Sequence, residues 1–130
     1  MRIKIIKNEG MYNDQNIIQF TSEFGSEAAI WVGETAIEGR EYNVELDIST
    51  KIKWRKDVKK SDKERYAINS DGLFTTIVCK VEAFFEEACC CFRIGSSIVI
   101  IEMEGDPYPK GTFVQVKVCS QSFYLYDINL

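Results

Sequence analysis

At 130 residues, 45% hydrophobic and 12% aromatic with only 2 prolines, the chain has the composition of one folded domain or of two very small ones, and too much apolar surface for a disordered segment. Its formal net charge of −4 argues against a protein that coats nucleic acid with its whole surface. Five cysteines, an odd set with three in a row, make a poor disulfide framework and point to thiols packed in the core of a protein of the reducing cytoplasm.

In chain order, the first segment, MRIKIIKNEG, interleaves charges with its isoleucines, so it reads as neither a secretory signal nor a membrane span. Ile3 and Ile5 open a period-two alternation that recurs as Tyr42, Val44 and Leu46, as Ile52 and Trp54, and as Val114, Val116 and Val118. Further strands are expected at 16–20, 28–32, 66–69, 74–85, 89–94, 97–103 and 123–128. The aliphatic block Ile98–Ile101 suits a buried strand and is too short to cross a bilayer. Glycine, proline, Asn and Asp mark turns at 10–16, 69–72, 95–97 and 105–111. Ser61 and Glu64 have capping-box spacing, which predicts a single helical turn there at most. The chain therefore reads as mainly β, a small antiparallel barrel or sandwich with at most one short helix.

An internal echo organises these strands. Gly33–Gly39 followed by Tyr42, Val44 and Leu46 matches Gly105–Gly111 followed by Val114, Val116 and Val118 at an offset of 72 residues, and the same offset pairs Phe20 with Phe92 and Ile5 with Ile77. A strand, a loop pinned by glycines and an alternating strand are thus used twice. The turn at 69–72 divides the chain into an N-terminal β half, 1–71, and a C-terminal β half, 72–130, packed as one domain or as two. The second half, with five strands, a glycine-bounded loop before GTFVQVKV and a last strand ending LYDINL, resembles an OB-type five-stranded barrel, and residues 1–56 resemble a degenerate second one. In nucleic-acid-binding members one strand presents aromatic and basic residues; here it reads Cys89–Cys90–Cys91–Phe92–Arg93, mostly thiols.

With no histidine, every Ser–His, Cys–His and His–metal mechanism is missing, and no phosphate-binding glycine loop is present. The expectation is a binding protein without catalytic residues, metal or cofactor. Two surfaces compete for the role. Residues 51–65 hold eight of the 16 basic side chains against three acids, leaving the rest of the molecule at −9. On a strand Lys51, Lys53 and Arg55 project from one face, and Lys56, Lys59 and Lys60 extend the positive potential. Trp54 or Tyr66 could then stack a base of single-stranded nucleic acid. The plainer alternative is that the lysines guard a strand edge while Trp54, on the opposite face, is core.

The other surface is acidic. Glu82, Glu86 and Glu87, beside Phe84 and Phe85, together with Glu102, Glu104 and Asp106, give an aromatic anchor with an acidic rim. The favoured expectation is an immunity-type inhibitor, a resemblance of role only, in which Phe85 and these acids cover the basic surface of a protein partner such as a nuclease toxin. A structural subunit of a larger assembly is a third reading, and a monomer or small homo-oligomer is expected.

Overall fold

In the computed structural model, which describes residues 1–86 and 88–128, the alternating runs become strands because each can turn one face inward at every second residue. β1 (Arg2–Tyr12), β2 (Gln15–Ser22), β3 (Gly25–Val32) and β4 (Glu41–Ile48) come from the first half. The short β5 (Ile52–Lys53), β6 (Val58–Lys60) and β7 (Ala67–Ser70) follow. The second half supplies β8 (Phe74–Phe85), β9 (Cys89–Ile94), β10 (Ser97–Glu104), β11 (Phe113–Cys119) and β12 (Phe123–Asp127).

A closed barrel and a second, nearly closed one result, and each borrows its fifth strand from the other half of the sequence. The first is closed in the order β1-β2-β3-β12-β4, with β4 returning to β1 and β12 running parallel to β3 and antiparallel to β4. The second follows the order β5-β10-β9-β8-β11-β6, with β5 parallel to β10, β6 antiparallel to β11, and β7 added to β8 off the path. Both orders place a parallel pair between the third and fifth strands, and both are compatible with an OB-like barrel. The two connections that carry the exchanged strands, 49–51 and the 3₁₀ turn Ser120–Ser122, meet where the Ser49 N–H donates to the Ser122 carbonyl at 3.0 Å.

The sequence echo is a structural one. A bulge falls between Ile5 and Lys7 opposite Phe20 and Gln19, and again between Val81 and Ala83 opposite Phe92 and Cys91. The glycine loops are clipped alike: the Gly39 N–H donates to Ile5 O at 2.7 Å and the Gly111 N–H to Val81 O at 2.8 Å. Phe20 and Phe92 are equivalent, as the offset of 72 requires. The counterpart of Ile5, however, is Val81 rather than Ile77, because the connection from the first strand to the second is shorter in the C-terminal repeat.

Phe20, Phe92 and Phe123 are each no more than 1% exposed and belong to one continuous core running through both barrels. A seam joins the barrels at Phe24, whose carbonyl accepts the Ile68 N–H at 2.9 Å and whose ring stands edge-on to Tyr66 at 6.0 Å. Gly25 sits there at φ +145°, and a Cβ on it would collide with the Ile68 carbonyl. At Ser61 no helix forms: its hydroxyl accepts the Lys63 N–H at 3.1 Å and donates to Lys63 O at 2.8 Å, a local bend that competes with the helical turn. The one helical turn among the described residues is Ser120–Ser122. No helix among them is long and apolar enough to cross a membrane.

Candidate docking face and cleft on the second barrel

Pairing register decides which side chains of β8, β9 and β10 meet outside the barrel. Cys90, Phe92 and Ile94 of β9, with Val99, Ile101 and Met103 of β10, fill the interior. The outward rows are Phe85–Cys89–Glu102, Ala83–Cys91–Ile100 and Lys80–Arg93–Ile98. Ile98, Ile100 and Phe85 are 46%, 51% and 52% exposed, so the sheet carries an apolar strip on its solvent side. Two basic groups share this face: Lys80, whose ammonium lies 5.8 Å from the Phe113 ring centre, and Arg93, which is held by two contacts to Glu82, Nε to Oε2 at 3.1 Å and Nη2 to Oε1 at 3.2 Å. The hydrogen bond from Arg93, followed by its positive charge, holds the Glu82 carboxyl below the usual carboxylate range.

Acids gather at the Phe85 end of the strip, opposite the row of Lys80 and Arg93. Glu86, Glu102, Glu104 and Asp106 are all exposed; Glu87 lies outside the described residues. Glu102 is met by Lys51 at 3.9 Å, an exposed pair. The structure thus brings Glu82, Phe85, Glu86, Glu102 and Glu104 onto one side of the second barrel, with Asp106 in the adjoining loop.

Next to this face the barrel wall opens. The fifth strand breaks after Lys53: Arg55 adopts φ 70°, and the chain turns before β6. A cleft of about 340 Å³ lies at the break, lined by Lys51, Trp54, Phe84, Phe85, Met103, Glu104 and Pro107 among others. Trp54 is 7% exposed and stands among Phe92 at 5.6 Å, Tyr108 at 6.2 Å and Phe84 at 6.4 Å. Its burial matches the core reading. The Arg55 guanidinium lies 4.0 Å from the Tyr108 ring centre and donates to the carbonyls of Asp106 at 3.1 Å and Pro107 at 3.3 Å.

The basic segment does not form one patch. Lys51 belongs to the acidic side, Arg55 to the 105–109 loop, and Tyr66 to the seam, where its ring also lies 5.4 Å from Phe113. Lys53 and Lys60 are exposed. Lys56 and Lys59 join Lys117, with Asp57, Thr76 and Gln115, around a depression of about 370 Å³ on the β6–β11 side of β8. Of the basic segment, only Lys56 and Lys59 thus gather on a side away from the acids.

Ile98, Ile100 and Met103 escaped the site expectation. For Ile98 and Ile100 the signal was present in the unbroken aliphatic run 98–101: on a barrel strand only alternate residues can be core, so such a run must turn apolar groups outward. Three of the five thiols, Cys79, Cys90 and Cys91, are buried. Burial pushes the Cys90 thiol up to about 12 and raises Cys79 and Cys91 as well, so none of these three is poised as a thiolate. Among the described residues no group of three potential ligands is arranged to hold a metal. Comparison with known proteins adds no relative: no family model matches the chain, and no curated protein or solved structure is significantly similar to it.

Proposed function

We propose that the chain is a binding protein that docks a cationic protein on the outer face of β8, β9 and β10, acting as an immunity-type inhibitor that covers the basic surface of a toxin such as a nuclease. The observation that carries this reading is the apolar strip of Phe85, Ile98 and Ile100 bordered at its Phe85 end by exposed acids, with Arg93 paired to Glu82 at the other end. An apolar centre excludes water and slows dissociation, while acids at the edge steer a basic partner and speed encounter. Taken as an OB-type barrel, the second barrel uses here the face of its second and third strands, on which such barrels take ligands. Phosphate backbones would meet acids on this face, which favours protein over nucleic acid.

The test is capture of a basic protein by the wild-type chain and by two variants. Ile100→Arg is expected to weaken binding by roughly 10–100-fold through faster dissociation, and Glu102→Lys with Glu104→Lys to slow association and flatten its dependence on salt. A partner retained equally by all three proteins overturns the proposal.

One observation favours a second reading on the other side of β8. Phe74 is 40% exposed, with the Lys117 ammonium 4.6 Å from its ring centre and Lys56 and Lys59 nearby, an aromatic beside lysines that suits single-stranded nucleic acid. Fluorescence anisotropy with labelled oligonucleotides at two salt concentrations decides it: salt-sensitive binding lost in Lys59→Glu supports the reading, and no binding at low salt removes it.

A further inference from the structure

We infer that the cleft at the broken fifth strand is a socket for an arginine side chain of the cationic partner, an inference that rests on the docking face just proposed. The cleft opens beside Phe85, a member of that face, so a partner lying on the strip passes over its mouth. Its volume of about 340 Å³ lies at the low end for small-ligand sites, enough for one long side chain and too little for a folded element.

The wall chemistry selects the guanidinium. Phe84, Phe85, Met103 and Pro107 are apolar, which suits a planar, weakly hydrated cation with a hydrocarbon stem better than a compact, strongly hydrated ammonium, and the lysine in the lining, Lys51, is paired with Glu102 at 3.9 Å. Glu104 supplies the charge. Its carboxylate forms no ion pair among the described residues, whereas the neighbouring Glu102 is engaged by Lys51. The Glu104 backbone is fixed by the Trp54 N–H, which donates to its carbonyl at 2.8 Å, so the carboxylate is anchored at the rim and can accept paired N–H bonds. The molecule already contains the same solution next door, where the Arg55 guanidinium lies against Tyr108 and donates to two carbonyls of the 105–109 loop.

The experiment uses the full chain and acetyl-arginine-amide as probe, without a protein partner. In Trp31→Phe the indole of Trp54 is the sole tryptophan reporter, because the chain has two tryptophans. A saturable fluorescence change is expected, with a midpoint of order 1–10 mM for so small a ligand. Glu104→Gln should raise the midpoint at least about 5-fold, a loss on the scale of one charge-assisted contact, and Phe84→Ala should abolish the response. Remote Glu41→Gln should leave it unchanged. A non-saturating change, an identical curve in Glu104→Gln, or an equal response to acetyl-lysine-amide overturns the inference. If Trp31→Phe does not fold, the Trp54 indole ¹H–¹⁵N resonance of the wild-type chain reads the same titration. The two proposals fail separately: partner capture sensitive to Ile100→Arg without an arginine response removes the socket alone, and an arginine response without capture removes the docking face alone.

Discussion

The two barrels share strand order, bulge and clipped loop, yet their ends beneath the glycine loop are filled differently. In the first, Trp31 and Tyr42 pack edge-to-face at 4.9 Å, and the Trp31 indole donates to Glu34 O at 2.6 Å, so the end is plugged from the third and fourth strands. Their counterparts in the second barrel are Met103 and Val114, and the aromatic ring arrives instead as Trp54, the residue directly after β5. β12 runs unbroken through Phe123–Asp127, whereas β5 and β6 are separated by the turn at Arg55. A repeated frame therefore holds in one copy a sealed end and in the other a cleft. The difference lies in which segment supplies the large ring and whether that segment stays straight.

The largest effect should come from testing whether the barrels stand or fall together. Phe20→Ala and Phe92→Ala each remove a fully buried ring at equivalent positions and should cost about 3–5 kcal/mol apiece. Because each barrel contains a strand from the other half, either substitution should lower one shared transition in chemical denaturation followed by circular dichroism and tryptophan fluorescence. Two separated transitions, with one unaffected, would show that the exchanged strands do not couple the barrels.

Gly25→Ala attacks the seam itself. The new Cβ meets the Ile68 carbonyl at a backbone angle that L-residues avoid, and a loss of ~2 kcal/mol or more is expected, a fall in Tm of roughly 6–10 °C. Gly39→Ala, also at positive φ but with open space around it, should cost less, so a scan of both variants separates collision from backbone strain.

A third contrast concerns thiols, which occur only in the second half of the sequence. Alkylation at pH 8 followed by peptide mass spectrometry should modify exposed Cys119 quickly, while buried Cys79, Cys90 and Cys91 react only after denaturant is added. Rapid labelling of Cys90 in the folded protein would contradict its place inside the barrel.

The smallest effects are electrostatic and should have opposite signs in the two barrels. Glu82 in the second is held low by Arg93, so its contribution is present above the ordinary carboxylate range and is lost as pH falls through its depressed folded value. Glu27 in the first is raised, chiefly by burial and against hydrogen bonds that lower it. Its ionised form therefore opposes folding, and that penalty is relieved as pH falls through the raised value. Glu82→Gln should slightly destabilise at neutral pH and Glu27→Gln slightly stabilise, both visible as small shifts of the denaturation midpoint. Shifts of the same sign would break the contrast.

Much of this architecture was legible in the chain. Alternation placed Ile52 and Trp54 inward and the lysines outward, and the paired glycines marked both loops. The strand exchange was not legible, because a period of two says which face of a strand is buried but not which strand lies beside it; β4 pairs with Phe123–Asp127 across most of the sequence. The site was half legible. Its acids and Phe85 were found as a cluster, while Ile98 and Ile100 were hidden inside a run whose apolar character looked like burial alone, and the cleft depends on the positive φ at Arg55, a residue type that does not announce it.

The reciprocal fifth strands carry one more consequence. If the two halves were separate polypeptides, each would finish the other's barrel, which is the arrangement of a domain-swapped dimer. In the single chain the short stretch between β6 and β8 holds the second half beside the first at a high effective concentration, so the swap closes on itself and leaves no fifth strand seeking a neighbour. Cutting the exposed turn at Asp71 and Gly72 would turn the same contacts into an association between two fragments, with a stability that depends on protein concentration.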